Sequence, residues 1–497
     1  MNKPIRNLAV ASMFLFLALL VNATYVQYWE ADELTSLSQH PDNKRVRDAE
    51  FSRERGAILV RGKAVAESNE SDDAYKFQRG YPEGPEYAHL TGFFSRDWGL
   101  GGVEATQNSI LSGSDSRLFI DNRVIALMGG EDPKGGSVTL TVDPDAQRAA
   151  FDGLNALGDT VRGSAVAIEP NTGKILAMVS SPSFNPNRLA SHDFNEVGNA
   201  KQRLQENELG SLNNRAIEEV LPPGSTFKLV TAAAALDSGK YDPDTQVPGG
   251  SRLDLPQTTR DLPNDGGGSC GGDTITLTKA LQVSCNVAFG DVGMKVGADR
   301  IRDTAEKFGF GTRTFHDLDD ALTRQALSRF PEDPDAPQTA LSAIGQFDVA
   351  VTPLQMAMVG AGIANDGVVM KPYLVDEIQS PKLDVLEKTD PEMMPDQPAM
   401  SSSASRDLRQ MMVAVVEGGT ARTAQIPGVE VAGKTGTAQS SPDRPPYAWF
   451  VSFAPAETPA VAVAVLVQDA GVARDQISGS GLAAPIAKAV MEAVIGK

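Results

Sequence analysis

Cysteine and histidine are scarce in this chain, which has only two cysteines and four histidines among its 497 residues. Metal sites in proteins draw mainly on these side chains, at short and characteristic spacings. The histidines follow no such spacing; they are His40, His89, His192 and His316. The sequence therefore predicts no metal site, and it contains no motif that requires another cofactor.

Basic residues are fewer than acidic residues in this chain. The chain has 45 Lys and Arg against 64 Asp and Glu, which gives a formal net charge of −19. Nucleic-acid phosphates reward basic surfaces, so nucleic acid is excluded as a partner. The net charge does not exclude a small anionic ligand, because one local lysine can bind a carboxylate inside an acidic protein.

Long apolar runs are absent except at the N-terminus. Lys3 and Arg6 precede an uncharged stretch over residues 8–28, and a spanning helix needs about 20 largely apolar residues. Positive charge ahead of the stretch places the N-terminus in the cytoplasm. We therefore predict a cytoplasmic tail over 1–7, a transmembrane anchor over 8–28 and an extracytoplasmic remainder. The alternative is a signal peptide cleaved near Val21-Asn22-Ala23, which also exports the remainder.

The exported part divides into two regions. Residues 29–137 show short strand patterns without a catalytic grouping, and we interpret them as a pedestal domain. Residues 138–497 have strand patterns at both ends and helical patterns between, which predicts an α+β domain with an antiparallel sheet and helices on both faces. Strands are predicted over 138–142, 164–168, 174–179, 429–432, 447–454 and 460–467, and helices over 143–157, 227–236, 277–292, 353–364, 406–416 and 482–495.

Ser225 and Lys228 form the only Ser-x-x-Lys string in the chain. Pro222-Pro223-Gly224 excludes a helix before Ser225, and the following residues are helical in pattern, so Ser225 lies at a helix N-terminus. Its position favours developing negative charge. Lys228 lies on the same face three residues later. A neutral lysine there can take the serine proton if burial or a neighbouring cation lowers its pKa.

A Ser-x-Asn string occurs three times, and only Ser284-Cys285-Asn286 follows Ser225. It lies within a stretch that is helical and apolar in pattern. There its hydroxyl can relay a proton and its amide can hold a peptide. An ordinary buried polar pair is the alternative for so short a string.

Lys434-Thr435-Gly436-Thr437 follows a run of β-formers and has a rival interpretation. Residues 428–435 match Gly-x4-Gly-Lys-Thr, the phosphate-binding loop of nucleotide hydrolases. That loop needs a helix after it, whereas Gly436 and Pro445-Pro446 follow here, so we reject it. Residues 267–271 also match Gly-x-Ser-x-Gly, but their glycine-rich surroundings predict a loop and not a nucleophile elbow.

The three strings, in this order, are the signature of serine acyl-transfer enzymes that penicillin inhibits. With them in place the chain resembles the class B penicillin-binding proteins, membrane-anchored D,D-transpeptidases, and within them the penicillin-binding protein A group of actinobacteria. The resemblance covers nearly the whole chain. It also rests on these further strings: Arg55-Gly56-Ala57-Ile58, Gly101-Gly102-Val103-Glu104, Pro222-Pro223-Gly224, Thr352-Pro353-Leu354-Gln355 and Glu417-Gly418-Gly419-Thr420-Ala421.

The resemblance implies a role for each site residue. Ser225 is the acylated nucleophile, and Lys228 is its general base. Ser284 and Asn286 relay a proton and hold the donor peptide. The residues that bind its terminal carboxylate lie on an edge strand, where the peptide adds like a further strand; they are Lys434, Thr435, Gly436 and Thr437. The backbone N–H groups of Ser225 and Thr437 form the oxyanion hole.

The resemblance also implies partners. These are peptidoglycan stem peptides, β-lactams, the cytoplasmic membrane, a membrane glycan polymerase and other division or elongation proteins. The chain is too short for an added glycosyltransferase domain, so it should not polymerise glycan. The region 29–137 corresponds to a pedestal or dimerisation-like domain. A D,D-carboxypeptidase and a non-turnover β-lactam sensor or wall scaffold are the alternatives.

The two cysteines, Cys270 and Cys285, lie in the exported part, where disulfides persist. Cys270 sits in a glycine-rich loop, and Cys285 is the middle residue of the Ser-x-Asn string. We expect them to form a disulfide that tethers the loop to this string. Two free thiols, with Cys285 buried, are the alternative.

Overall fold

A computed structural model describes residues 3–28, 48, 50–118, 134–394, 397–439 and 445–497. Helix α1 (Lys3–Tyr28) contains a 24-residue apolar segment, Lys3–Val26, within which an 18-residue stretch has a mean hydropathy of 2.0 and no burial against the rest of the protein. An apolar, uncovered helix of this length is long enough to cross a bilayer. Parts of the predicted pedestal, residues 29–47 and 119–133, lie outside the described residues.

The described N-terminal region consists of short elements. They are β1 (Ile58–Val60), β2 (Lys63–Glu70), β3 (Phe77–Gly80), α2 (Gly84–Thr91), β4 (Phe94–Ser95), β5 (Gly99–Leu100), α3 (Val103–Thr106) and α4 (Asn108–Leu111).

The remaining chain alternates between two groups of strands and a helical middle. Its first half contains β6 (Ser137–Leu140), α5 (Pro144–Asn155), β7 (Arg162–Ile168), β8 (Ile175–Ser181), α6 (Phe194–Glu206), α7 (Arg215–Glu218), α8 (Lys228–Asp237), β9 (Gln246–Pro248), β10 (Arg252–Asp254), β11 (Asp261–Pro263), β12 (Thr274–Thr276), α9 (Leu277–Gln282) and α10 (Asn286–Val296). Its second half contains α11 (Ala298–Lys307), α12 (Ala336–Ser342), α13 (Pro353–Ala364), β13 (Val375–Gln379), β14 (Val385–Lys388), α14 (Ser402–Gly418), β15 (Ala432–Ala438), β16 (Tyr447–Ala454), β17 (Val461–Asp469) and α15 (Ala484–Ile495).

Two sheets organise the fold. One has six strands in the order β14-β13-β6-β1-β2-β3, in which β1 runs parallel to β6 and antiparallel to β2. It therefore joins strands from both sides of the predicted boundary at residue 138, and that boundary stays a prediction. The other is a five-stranded antiparallel sheet in the order β15-β16-β17-β7-β8.

Helices cover the five-stranded sheet on both faces, as the sequence predicts. Helix α13 packs on β7 and β17, while α5 and α15 pack on each other and on β8, β16 and β17. Strands β16 and β17 are consequently buried almost throughout, as in sheets covered on both faces. Helix α5 begins as its sequence indicates, because Asp143 accepts hydrogen bonds from the N–H groups of Asp145 and Ala146, and Pro144 follows.

Two predicted elements differ from the structure. The single helix expected over 277–292 is wrong, because the chain leaves the helix after Gln282 and begins α10 at Asn286, with Ser284 at a left-handed φ of 62°. The strand expected over 429–432 begins only at Ala432 and runs through the Lys434 string to Ala438. Val429 instead closes a short turn with Ile426. The first difference leaves Ser284 in a break between two helices, and the second places the Lys434 string on a strand.

Candidate active site

The turn that carries Ser225 packs tightly against the edge strand β15. A 3-10 helix over Gly224–Phe227 leads into α8, and Gly224 has a left-handed φ of 52°. A Cβ atom added to Gly436 would lie 2.9 Å from the carbonyl oxygen of Pro223. Both positions thus need glycine, and half-buried Ser225 is held beside β15.

Lys228 lies one turn after Ser225 and is completely buried. Its Nζ donates to the carbonyl oxygen of Ser284 at 2.7 Å, to Asn286 Oδ1 at 2.7 Å and to Ser284 Oγ at 3.3 Å. The left-handed backbone at Ser284 lies between the two helices that flank this string. The break between α9 and α10 therefore supplies two of the three acceptors for the amine.

Lys434 completes the polar network from the sheet side. It is also completely buried, and its Nζ donates to Ser284 Oγ at 2.9 Å and to the carbonyl oxygen of Thr435 at 2.7 Å. Ser284 Oγ therefore bridges the two lysine amines. Thr435 Oγ1 lies 2.6 Å from Thr420 Oγ1, a contact that links the edge strand to the end of α14.

Both lysines have lowered pKa values. Burial, and after it the charge of Lys434, hold the pKa of Lys228 well below its ordinary value, although Asp265 acts in the opposite direction. Burial lowers the pKa of Lys434 to about 7. Desolvation disfavours the charged form of an amine. A neutral amine at Lys228 can accept a proton, as the sequence argument requires.

Asn264 positions the second string, and sequence reasoning missed it. Its Oδ1 accepts from the N–H groups of Asn286 and Val287, both at 3.0 Å, at the start of α10. Its Nδ2 donates to the carbonyl oxygens of Gly250 and Gly268 at 2.8 and 2.9 Å. Asn264 thus caps a helix whose own N-cap residue makes no side-chain cap bond, and it fixes that helix to the loop.

The disulfide between Cys270 and Cys285 is present, as predicted. The two residues are 15 apart in the chain, and a bridge closing a loop of this size contributes about 3 kcal/mol by restricting the unfolded chain. Cys270 also donates its N–H to the carbonyl oxygen of Gly249 at 2.7 Å. The glycine-rich loop is therefore fastened to the second string by a covalent bond and by Asn264.

A cleft of about 1010 Å³ opens onto these groups. Its lining includes the predicted site residues Ser225, Ser284, Asn286, Thr435 and Thr437. Gly436 lies between the last two on β15, with its backbone against the turn before Ser225. The structure thus brings all three strings together. The lining also includes residues that were not predicted as site residues, among them Asn264, Thr420, Phe347 and Ser478.

The two motif matches rejected above, residues 428–435 and 267–271, lack the local structure that those motifs need. Strand β15 begins at Ala432 and includes Lys434, where a phosphate-binding loop would have a curl. Among the described residues between β15 and β16, no helix follows it. Ser269 lies in the loop near Cys270 without a preceding buried strand.

Among the described residues, no group of His, Cys, Asp and Glu is arranged to hold a metal ion. That the protein has no metal site stays a prediction from the sequence.

Comparison with known proteins identifies the class. Residues 163–492 match the family described as the penicillin binding protein transpeptidase domain, and residues 55–138 match the penicillin binding protein A dimerisation domain. The chain therefore belongs to the penicillin-binding protein transpeptidase family, and its class of enzyme is that of the D,D-transpeptidases.

The chain is also similar to individual members of this family over nearly its whole length. The chain is 43% identical to the peptidoglycan D,D-transpeptidase PbpA of Mycolicibacterium smegmatis, over 100% of this chain and 99% of that protein. It is similar to the structure of penicillin-binding protein A from M. tuberculosis as a ceftriaxone acyl-enzyme complex, with a TM-score of 0.84 and 40% identity over 90% of this chain and 100% of that one. The penicillin G acyl-enzyme complex of the same protein gives a TM-score of 0.82 at 40% identity, over 89% of this chain and 100% of that one.

Proposed function

We propose that this chain cross-links peptidoglycan stem peptides through an acyl-enzyme on Ser225. Ser225 Oγ attacks the carbonyl carbon of the D-Ala–D-Ala amide, the Oγ–C bond forms, and the C–N bond to the last alanine breaks. An acceptor amine then attacks the ester and releases Ser225. A β-lactam amide opens in the same way, but the expelled amine stays covalently attached to the acyl group and does not leave the site, so the acyl-enzyme persists.

The observation that carries this proposal is the buried pair of lysines bridged by Ser284 beside Ser225. Lys228, whose pKa is lowered chiefly by burial, takes the Ser225 proton as general base. Ser284 passes a proton toward the leaving amine, since its hydroxyl contacts both lysine amines. Asn286, fixed by Lys228 at its Oδ1 and by the carbonyl oxygen of Pro263 at its Nδ2, holds the donor peptide.

The edge strand β15 binds the substrate end to be released. Among the described residues only β16 pairs with β15, and we infer that the other edge of β15 accepts an added peptide strand. Lys434, Thr435 and Thr437 bind the terminal carboxylate, with Gly436 allowing the close approach to the Ser225 turn. The N–H groups of Ser225 and Thr437 stabilise the oxyanion of the tetrahedral intermediate.

A donor-stem assay tests the reaction. Purified protein is incubated with a pentapeptide stem, with and without an acceptor stem that carries a free amine, and products are followed by mass spectrometry. Cross-linked dimer that appears only with acceptor, and that is absent with Ser225→Ala, supports the proposal. Release of D-alanine with no dimer in the presence of acceptor would instead assign a D,D-carboxypeptidase.

We place the catalytic part outside the cytoplasmic membrane, with helix α1 as a retained anchor. Its apolar length and the two basic residues ahead of its apolar part support this topology. A membrane glycan polymerase and other division or elongation proteins are the proposed partners. N-terminal sequencing of the membrane-purified protein tests the anchor, and a chain that begins at Thr24 would contradict it.

A further inference from the structure

Phe347 has a backbone conformation that a bulky side chain rarely adopts. Its φ is 59°, in the left-handed region. Apart from glycine, mainly Asn and Asp enter this region readily, and an aromatic residue there is an outlier. Such strain persists where the surrounding structure imposes it, and it is concentrated at functional sites.

The packing of Phe347 does not account for this strain. The residue is 44% exposed. Among the described residues it makes no aromatic ring contact and does not join the hydrophobic core, whereas its neighbour Ile344 belongs to that core and Leu341 packs against it. A glycine at position 347 would relieve the backbone and expose less apolar surface. Folding alone therefore does not favour phenylalanine at this position.

The loop that carries Phe347 is fastened to the turn that carries Ser225. The N–H of Gly224 donates to the carbonyl oxygen of Gly345 at 3.0 Å. At the other end, Leu221 and Val351 exchange two backbone hydrogen bonds, both 2.9 Å long. These bonds hold the loop beside the turn that precedes Ser225, and the Phe347 side chain lines the cleft.

We infer that the Phe347 ring determines specificity by contacting an apolar side group on the acyl part of the donor. This inference rests on the proposed function. In the proposed function, polar groups of β15 bind the carboxylate end of the donor. An apolar ring would not stabilise that charged end. Within the donor, the part that remains for contact with the ring is the acyl side. Leu341 and Ile344, which line the same cleft, extend the apolar surface on this side.

Two penicillins separate this contact from the rest of the site. Benzylpenicillin carries an aromatic acyl side group, and 6-aminopenicillanic acid has the same ring system and carboxylate without it. For Phe347→Gly we expect the second-order rate constant of acylation by benzylpenicillin to fall about tenfold, the size of a lost apolar contact. The rate constant for 6-aminopenicillanic acid should stay as in the wild type. Phe347→Tyr, which keeps the ring, should retain the wild-type preference.

A matched control exists at Leu383, which is also apolar, exposed and left-handed, with a φ of 70° and 71% exposure. It lies between β13 and β14, away from the cleft lining. Leu383→Gly and Phe347→Gly should both raise or preserve the melting temperature, because glycine accepts the left-handed backbone. Only Phe347→Gly should change acylation.

An equal loss with both penicillins, or no loss with either, would overturn the role of Phe347 while leaving the acyl-enzyme on Ser225 intact. Absence of any Ser225 adduct in the wild type would instead overturn the proposed function itself. The two failures are therefore distinguishable in one set of measurements.

Discussion

Two regions of this protein bury positive charge, and they do so in opposite ways. In the N-terminal region Arg55 and Arg79 lie against Glu104, all three with side chains at most 1% exposed. Arg55 donates to Glu104 Oε2 from Nη2 at 2.8 Å and from Nε at 3.0 Å. In the cleft, Lys228 and Lys434 are buried with no carboxylate within ion-pairing distance among the described residues.

The consequence appears in the protonation of the two regions. Burial by itself would raise the pKa of Glu104, but Arg79 and Arg55 outweigh it and hold that pKa below its ordinary value. The charges are therefore retained and serve packing. In the cleft, burial is not compensated, so the lysine pKa values fall. The N-terminal region thus holds buried basic groups that are paired and charged, whereas the cleft holds buried amines without a carboxylate partner, as the proposed chemistry requires.

Replacing Lys228 should give the largest effect. Lys228→Met keeps most of the volume but removes the base, so the rate of acylation by penicillin should fall about 10²–10⁴-fold. The free energy of unfolding should change little, because the desolvation cost of the amine is removed while the carbonyl oxygen of Ser284 and Asn286 Oδ1 lose their donor. Stopped acylation reactions analysed by mass spectrometry measure the rate. Wild-type rates in this variant would remove Lys228 from the mechanism.

Glu104→Gln should lower the free energy of unfolding and leave the rate of acylation unchanged, the reverse of what is expected for Lys228→Met. It leaves Arg55 and Arg79 buried without a counter-charge, and breaking a buried ion pair costs about 3–5 kcal/mol of stability. Acylation by the protein that remains folded should be unchanged. Denaturant unfolding and penicillin labelling give the two quantities.

Glu83→Gln is the matched control for this variant. Glu83 pairs at 2.8 Å with Lys63, whose side chain is 72% exposed, and a surface pair contributes about 0–1 kcal/mol. If the two variants unfold with the same free energy, the Arg55–Glu104–Arg79 cluster does not have the structural role given to it here.

The dependence of the acylation rate on pH should reflect the protonation of both Lys228 and Lys434. Lowered lysine pKa values mean that each amine is neutral at lower pH than usual. Acylation should therefore rise with pH as Lys228 loses its proton. It should fall above the Lys434 pKa of about 7, by about tenfold for each pH unit, because the carboxylate loses its cation.

Lys434→Met sharpens this test. The descending limb should disappear, and the ascending limb should move to higher pH, because the charge that helps to lower the Lys228 pKa is gone. A profile of kcat/KM against pH measures both limbs. An unshifted ascending limb would show that the two amines are not coupled.

The smallest effect is expected at Asn264. Asn264→Ala removes the cap of α10, which should cost about 1 kcal/mol, and it frees Asn286 to move, so acylation should slow several-fold. Asp193→Ala removes a comparable cap from α6, where Asp193 accepts from Asn195 at 3.0 Å and Glu196 at 3.3 Å. Equal acylation in the two variants would make Asn264 a purely structural residue.

Much of the fold could be predicted from the sequence where the pattern is long and its ends are marked. Strand 447–454 and helix 353–364 are observed with the predicted limits, and the helix is capped by Thr352 and begins at Pro353. The break at Ser284 could not be predicted, because residues 277–292 carry an unbroken helical pattern. This break is imposed by contacts between residues distant in sequence. Lys228 donates to the carbonyl oxygen of Ser284, and Asn264 accepts from the first N–H group of α10.

The candidate site shows the same division. The three strings and the pairing of Cys270 with Cys285 could be predicted because each depends on residue identity. The bridging of Lys228 and Lys434 by one hydroxyl could not, since it depends on how α8, the 283–285 turn and β15 meet. Phe347 and Asn264 carry no motif, and their importance appears only in a backbone angle and a set of hydrogen bonds.

The most direct test of the central claim is to locate the covalent adduct that penicillin forms. The labelled protein is digested, and the modified peptide is identified by mass spectrometry. An adduct on the peptide that contains Ser225, absent in a folded Ser225→Ala variant, is the predicted result. An adduct on Ser284 or Ser269, or labelling that persists in Ser225→Ala, would contradict the account.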